Sequence, residues 1–262
     1  SLLITSILLL TIAFYTQVSA QETTGANEYL KIARDYLHHQ YDSAFSYASR
    51  SLKVAKVNSN DSAIGEANKI LADVYMGYGV FNKAIEHYTA AIEAFSKTNQ
   101  SLKVAETRNS LGDLYYETKT SQYSLRQYKL ALSLYQNYHD STGSAYTLAN
   151  IGHHYEKESL YDSALNYQNK ALEIFLDKDD KDGLSETYGN LGSIYEDLEK
   201  YDTAYWFFNK AYETNLVTEN EQLRVTHLNN IGDTYRKREM LDSALFYTNK
   251  AYQLAGQLNN KR

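Results

Sequence analysis

The sequence predicts an all-α fold, a right-handed α-solenoid (superhelix) of about six antiparallel helix pairs. Three observations carry this expectation: 262 residues contain no proline, tyrosine occurs 26 times against 12 glycines, and small and aromatic residues recur every 40 positions. Proline punctuates loops and breaks helices, so its absence favours long uninterrupted ones. A side chain used as often as tyrosine answers a packing position that is itself repeated. With 43% hydrophobic and 22% charged residues, the composition excludes a disordered tail and a multi-span membrane bundle.

The first element is residues 1–20, which carry no charge and end in Val18-Ser19-Ala20 after an apolar stretch from Leu2 to Tyr15. That length suits a signal peptide better than a membrane span of roughly 20 apolar residues. The chain opens on Ser1 with no basic segment before the apolar run, so the signal peptide reads as N-terminally truncated. The expectation is an exported protein, periplasmic or extracellular, and a retained segment would instead anchor it in the membrane. Residues 21–262 then form the array.

The repeats fall into units of about 27–60, 61–100, 101–140, 141–180, 181–220 and 221–258. Ala72, Gly112, Gly152, Gly192 and Gly232 stand 40 apart, as do Tyr75, Tyr115, Tyr155, Tyr195 and Tyr235. A second series runs Ala44, Ala84, Ser124, Ala164, Ala204 and Ala244, and the first unit keeps Ala33 and Tyr36 in the first two roles. Leu191, Gly192 and Tyr195, then Ala204, Phe208, Ala211 and Tyr212, have helical spacing, so each unit is a pair of amphipathic helices. The small residues are expected to face alanine across the pair and bring two backbones close. Tyr41-Asp42, Phe81-Asn82, Tyr161-Asp162, Tyr201-Asp202 and Leu241-Asp242 mark the turn, with Asp or Asn expected to cap the second helix. Ser121 and Gln122 depart from this and predict a looser turn in the third unit. DKDDKDG at 177–183 puts Lys178 in the first position of a calcium-loop alignment and reads as a solvated loop.

The pattern L-G-x-x-Y, an aromatic, then A-x-x-x-F/Y-x-x-A-L resembles the tetratricopeptide repeat, in the form seen in exported bacterial proteins, over nearly all of residues 27–258. It departs from that family in its period of 40 instead of 34 and in lacking the terminal proline. The consensus tryptophan is replaced by Asn68, Arg108, Leu148, Tyr188 and Leu228. The resemblance implies a scaffold that binds a protein or extended peptide along a concave wall made by the first helix of each pair.

Reading that wall at i, i+4, i+7 and i+11 collects eight carboxylates against Lys157 and Lys237, which predicts an acidic groove favouring neutral or basic ligands. Asp73, Asp113, Glu117, His153 and Asp233 lie on this stripe. Asn150, Asn190 and Asn230 share one register position in successive units, and an amide ladder can both donate to and accept from a peptide main chain. In similar scaffolds an asparagine at this place contacts peptide backbone. The lysine-rich clamp of some related arrays is missing from the stripe.

Other classes of function fail on the residues. A net charge of −6 with no basic run argues against nucleic acid, and the absence of cysteine excludes thiolate chemistry. His38-His39 and His153-His154 are adjacent pairs whose side chains diverge by about 100° on a helix, so no metal site is expected. No catalytic motif and no cofactor motif is present, and membrane contact by the array itself is not expected. Two functions remain: an exported binding module, or the extracytoplasmic sensory region of a longer signal-transduction protein, a histidine kinase or DNA-binding regulator truncated at Arg262. The outer helix of the last unit lacks a polar cap, which suggests continuation or a homodimer through the C-terminal repeat.

Overall fold

The computed structural model describes residues 25–37, 39–218 and 220–260, so the signal-peptide reading of residues 1–20 lies outside the described residues. Helix α1 covers residues 25–36. It is followed by α2 (Tyr41–Val57), α3 (Asp61–Gly77), α4 (Phe81–Lys97), α5 (Ser101–Glu117), α6 (Ser121–Asn137), α7 (Ser141–Lys157), α8 (Tyr161–Lys178), α9 (Lys181–Asp197), α10 (Tyr201–Asn215), α11 (Glu221–Lys237) and α12 (Leu241–Asn260). No strand occurs among the described residues. The protein is an all-α helical-repeat solenoid in which odd-numbered helices are the first and even-numbered the second of each pair. It forms two compact units, divided between Leu134 and Tyr135 within α6. In the first, α2 packs on α3, α3 on α4 and α4 on α5; in the second, α7 to α12 pack in sequence, and the first helices also touch, α7 with α9 and α9 with α11.

The joints repeat every 20 residues, half the period read from the sequence. Ser59, Gly79, Asn99, Lys119, His139, Ser159, Asp179, Glu199 and Glu239 all have φ between 52° and 71°. Each turn of this type closes with the next N–H reaching back five residues, as in Asn60 to Ala55, Thr120 to Tyr115 and Lys200 to Tyr195, all at 2.9 Å. This is the Schellman closure, which satisfies the last helical carbonyls. The carbonyl receiving that bond belongs to Tyr75, Phe95, Tyr115, Tyr135, Tyr155, Phe175, Tyr195 and Tyr235, so an aromatic marks almost every helix end.

Three local expectations are corrected. The looser turn at Ser121 and Gln122 is absent: the joint at Lys119 matches the others and is reinforced by the Thr118 hydroxyl on the Leu114 carbonyl (3.0 Å) and the Thr120 hydroxyl on the Tyr115 carbonyl (2.9 Å). Asp42, Asp162 and Asp202 do not cap the second helices, which begin one residue earlier behind Gln40, Leu160 and Lys200 with no side-chain cap. They lie inside the first turn, where they favour the helix dipole, and Asp42 also accepts from the Tyr78 hydroxyl while Asp202 pairs with Arg238 at 2.7 Å. The caps belong to first helices, where Asn60, Asp140, Asp180 and Asn220 accept from the backbone N–H three residues on. Hence 177–183 is no loop, since α8 runs to Lys178 and only Asp179 and Asp180 separate it from α9.

The glycines have a different neighbour from the one expected. A Cβ on Gly112 would come within 2.5 Å of the Tyr128 ring, and one on Gly192 within 2.5 Å of the Phe208 ring. These two glycines therefore make room for a ring of the second helix, Gly152 makes room for the Gln168 side chain, and only at Gly232 does the backbone of an alanine, the Ala244 carbonyl at 3.4 Å, come close as expected. The tyrosine excess also has a concrete use. Tyr36, Tyr75, Tyr155, Tyr195 and Tyr235 stack on Tyr47, His87, Tyr167, Phe207 and Tyr247, with centroids 5.3–6.0 Å apart. Such offset contacts are each worth about 0.5–1.5 kcal/mol beyond burial. The third pair breaks the rule because Gln127 replaces the ring and is taken by Arg108 at 2.9 Å.

Candidate functional site: the first-helix walls

Asp73 on α3 and Asp113 on α5 were assigned to ligand contact by their place on the stripe. In the first unit they accept hydrogen bonds from buried phenols of the second helix: Tyr88 to Asp73 at 2.6 Å and Tyr128 to Asp113 at 2.7 Å. A buried phenol needs such an acceptor. At the same register Phe208 and Ser193 replace phenol and carboxylate together, whereas Asp233 stands opposite Thr248 and turns instead to Arg236 and Lys237. Burial pushes the Asp113 carboxyl up to about 6, against the lowering effect of the Tyr128 hydrogen bond and with a further push from Glu117. Glu117 is exposed at the end of α5.

The wall of the first unit is less acidic than the stripe sum. Arg34 reaches Glu66 at 2.6 Å, Lys103 also pairs with Glu66, and Lys69 lies 3.4 Å from Asp73 and 3.2 Å from Glu106. The stripe omitted these cations because each lies one position to its side or on the neighbouring first helix. Burial raises the Glu66 carboxyl, but hydrogen bonds from Lys103 and Arg34 outweigh it and leave it below the usual range. These residues surround a cavity of about 380 Å³ whose apolar lining is Leu37, Ile70 and Phe95.

In the second unit Asn150, Asn190 and Asn230 hold equivalent places on the adjoining helices α7, α9 and α11, and all are half-buried. Asn150 is engaged, whereas among the described residues Asn190 and Asn230 have no side-chain hydrogen bond. His153 Nδ1 lies 2.9 Å from Glu156, and Asp233 is held by Arg236 at 2.8 Å and Lys237 at 3.6 Å. Sequence reasoning missed buried Glu156 and its counterpart Glu196, which takes Lys237 at 2.9 Å and the Thr234 hydroxyl at 3.0 Å. Their spacing of 40 was the available signal. His38 lies outside the described residues, and His154 is buried edge-on to Tyr155. Among the described residues no group of three or more His, Asp or Glu could hold a metal, and no helix is long and apolar enough to cross a membrane.

A family model described as tetratricopeptide repeat matches residues 141–216 and 183–257. Residues 141–257 carry tetratricopeptide repeats. Solved structures agree on the fold across both units. The apo form of RapI superposes with a TM-score of 0.74 at 18% identity, covering 90% of this chain and 85% of that one. BtubC from P. vanneervenii gives 0.66 at 18% identity over 92% of each chain. A Rap protein complexed with competence and sporulation factor gives 0.70 at 18% identity, over 92% of this chain and 66% of that one. No curated protein matches the chain by sequence.

Proposed function

We propose that this tetratricopeptide-repeat chain is a non-catalytic scaffold that binds a protein or an extended peptide on its first-helix walls. The observation that carries the reading is the pair Asn190 and Asn230, register-equivalent amides with open hydrogen-bonding capacity on adjoining helices. Each side chain can donate to and accept from a main chain laid across α9 and α11. A similarly folded Rap protein is complexed with competence and sporulation factor, which supports a ligand of this class. The reading includes export on residues 1–20, a concave acidic groove with a preference for neutral or basic partners, and a homodimer through the exposed Leu241, Leu245 and Tyr252 of α12. Nucleic acid and membrane lie outside it.

The test is a peptide-library screen on the full chain followed by titration of the best binder. Changing Asn190 and Asn230 together to Ala weakens that binding by about 1–3 kcal/mol while the melting temperature holds or rises, because alanine is the better helix former. Earlier melting with unchanged affinity would make both amides structural and refute the assignment.

A further inference from the structure

The cavity in the first unit has an inner and an outer set of charges. Glu66, Lys69 and Asp73 on α3 keep only 15%, 20% and 23% of their side chains exposed, while their partners Arg34, Glu106 and Lys103 keep 52%, 58% and 42%. The inner set is one stripe of a single helix at i, i+3 and i+7, so its charges alternate in sign about one turn apart. The outer set comes from α1 and α5 and faces solvent. Only the outer member of each pair faces water, so it can swing out while a charge of a ligand takes its place on the inner partner, which is too buried to stand unpaired.

We propose that this cavity binds a free basic amino acid of the arginine and lysine class, with its side-chain cation on Glu66, its carboxylate on Lys69 and its α-ammonium toward Asp73. The inner triad, minus-plus-minus, is the complement of such a ligand in both order and net charge. Lys103 marks the seat of the side-chain cation, since its ammonium pairs with Glu66 and lies 5.4 Å from the Phe95 ring centroid. A guanidinium there keeps both the ion pair and the cation–π contact. Lys69 provides the anion seat once Glu106 turns outward, and Asp73 keeps one oxygen on Tyr88 while the other, 3.4 Å from Lys69, is shared between that lysine and the α-ammonium. Leu37 and Ile70 receive the methylene stem. A volume of about 380 Å³ lies at the small end of ligand pockets, suited to a metabolite and too small for a helix. The site stands on this cavity alone and is independent of the peptide reading, which concerns α9 and α11.

Isothermal titration of the full chain with L-arginine, agmatine, L-citrulline and two peptides ending in arginine, one amidated, tests the assignment. Saturable binding of L-arginine is expected, with agmatine, which lacks the carboxylate, and citrulline, which lacks the cation, each weaker by about tenfold or more. Glu66→Gln should remove the preference for arginine over citrulline, and Lys69→Met the preference over agmatine, with circular dichroism confirming the fold. No saturable heat with arginine, or equal affinity for all three molecules, overturns the proposal without needing either variant. Tighter binding of the free-acid peptide than of arginine, lost on amidation, also overturns it by assigning the site to a peptide end.

Discussion

His227 shows how one side chain can carry a pH dependence. It is buried on α11, and its Nε2 lies 2.9 Å from Ser185 Oγ, which itself lies 3.0 Å from the Ala211 carbonyl. A carbonyl only accepts, so the single hydroxyl proton goes to Ala211, and Nε2–H must donate to Ser185. Nδ1 is then a buried lone pair with no partner, and protonating it would bury an unpaired cation. Desolvation accordingly pushes the imidazole down to about 4 from 6.5. The stabilisation is complete above pH 6.5 and is lost as pH falls toward 4, about 3 kcal/mol for this group. Urea unfolding of His227→Gln should lack that component. Asp113 acts with the opposite sign, because its folded value of about 6 lies above the ordinary 3.8. The ionised form weighs on the fold above pH 6 and is relieved as pH falls. Asp113→Asn, which still accepts from Tyr128, should stabilise the protein by about 3 kcal/mol at pH 8, an effect that fades as pH falls through 6 and is gone below 3.8. Equal unfolding midpoints at pH 8 would remove the burial argument.

At the scale of the element, the left-handed residue that ends each helix is glycine at one joint alone among those described, Gly79. Elsewhere a Cβ is held in a conformation that costs an L-residue about 1–2 kcal/mol. Lys119→Gly should therefore raise stability by about 0.5–1 kcal/mol, whereas Lys129→Gly on the exposed middle of α6 should lower it by about 1 kcal/mol. Paired thermal melts check the two signs, and a loss at both sites would refute the joint assignment. These joints also explain what could be read beforehand. The helix pairs were legible because Gly112, Tyr115 and their equivalents repeat at 40, but the 20-residue metric was hidden because the left-handed position accepts Ser, Asn, Lys, His, Asp and Glu alike. Side-chain identity at that position is nearly silent, since the hydrogen bonds common to every joint are between backbone groups. The caps were misplaced by one residue for a related reason: Asp42 and Asp202 look like caps, yet the Schellman closure begins the next helix before them. On the walls, a stripe along one helix found Glu66 and Asp73 but not Arg34 or Lys103, which arrive from neighbouring helices and have no local signature.

For the whole molecule, the equal joints make the chain divisible. Residues 161–200 begin and end immediately after a joint of the same geometry, at Ser159 and at Glu199. Excising them connects Leu160 to Tyr201, so α7 meets α10 through an unaltered turn and Gly152 faces Phe208, the partner its counterpart Gly192 already accommodates. That chain, one pair shorter, is expected to fold cooperatively with a lower unfolding enthalpy. Excising 161–180 preserves a turn equally well but sets one first helix after another, with no second-helix side chain in the place of Gln168 against Gly152, and should give an unfolded or aggregated product by calorimetry and sedimentation. Two folded products would mean that the two helix types are interchangeable. The 20-residue joint is thus a punctuation mark and the 40-residue pair the smallest heritable word: a gene of this kind can lengthen or shorten by unequal crossing-over in frame, and selection then needs to repair only which ligand-facing side chains remain.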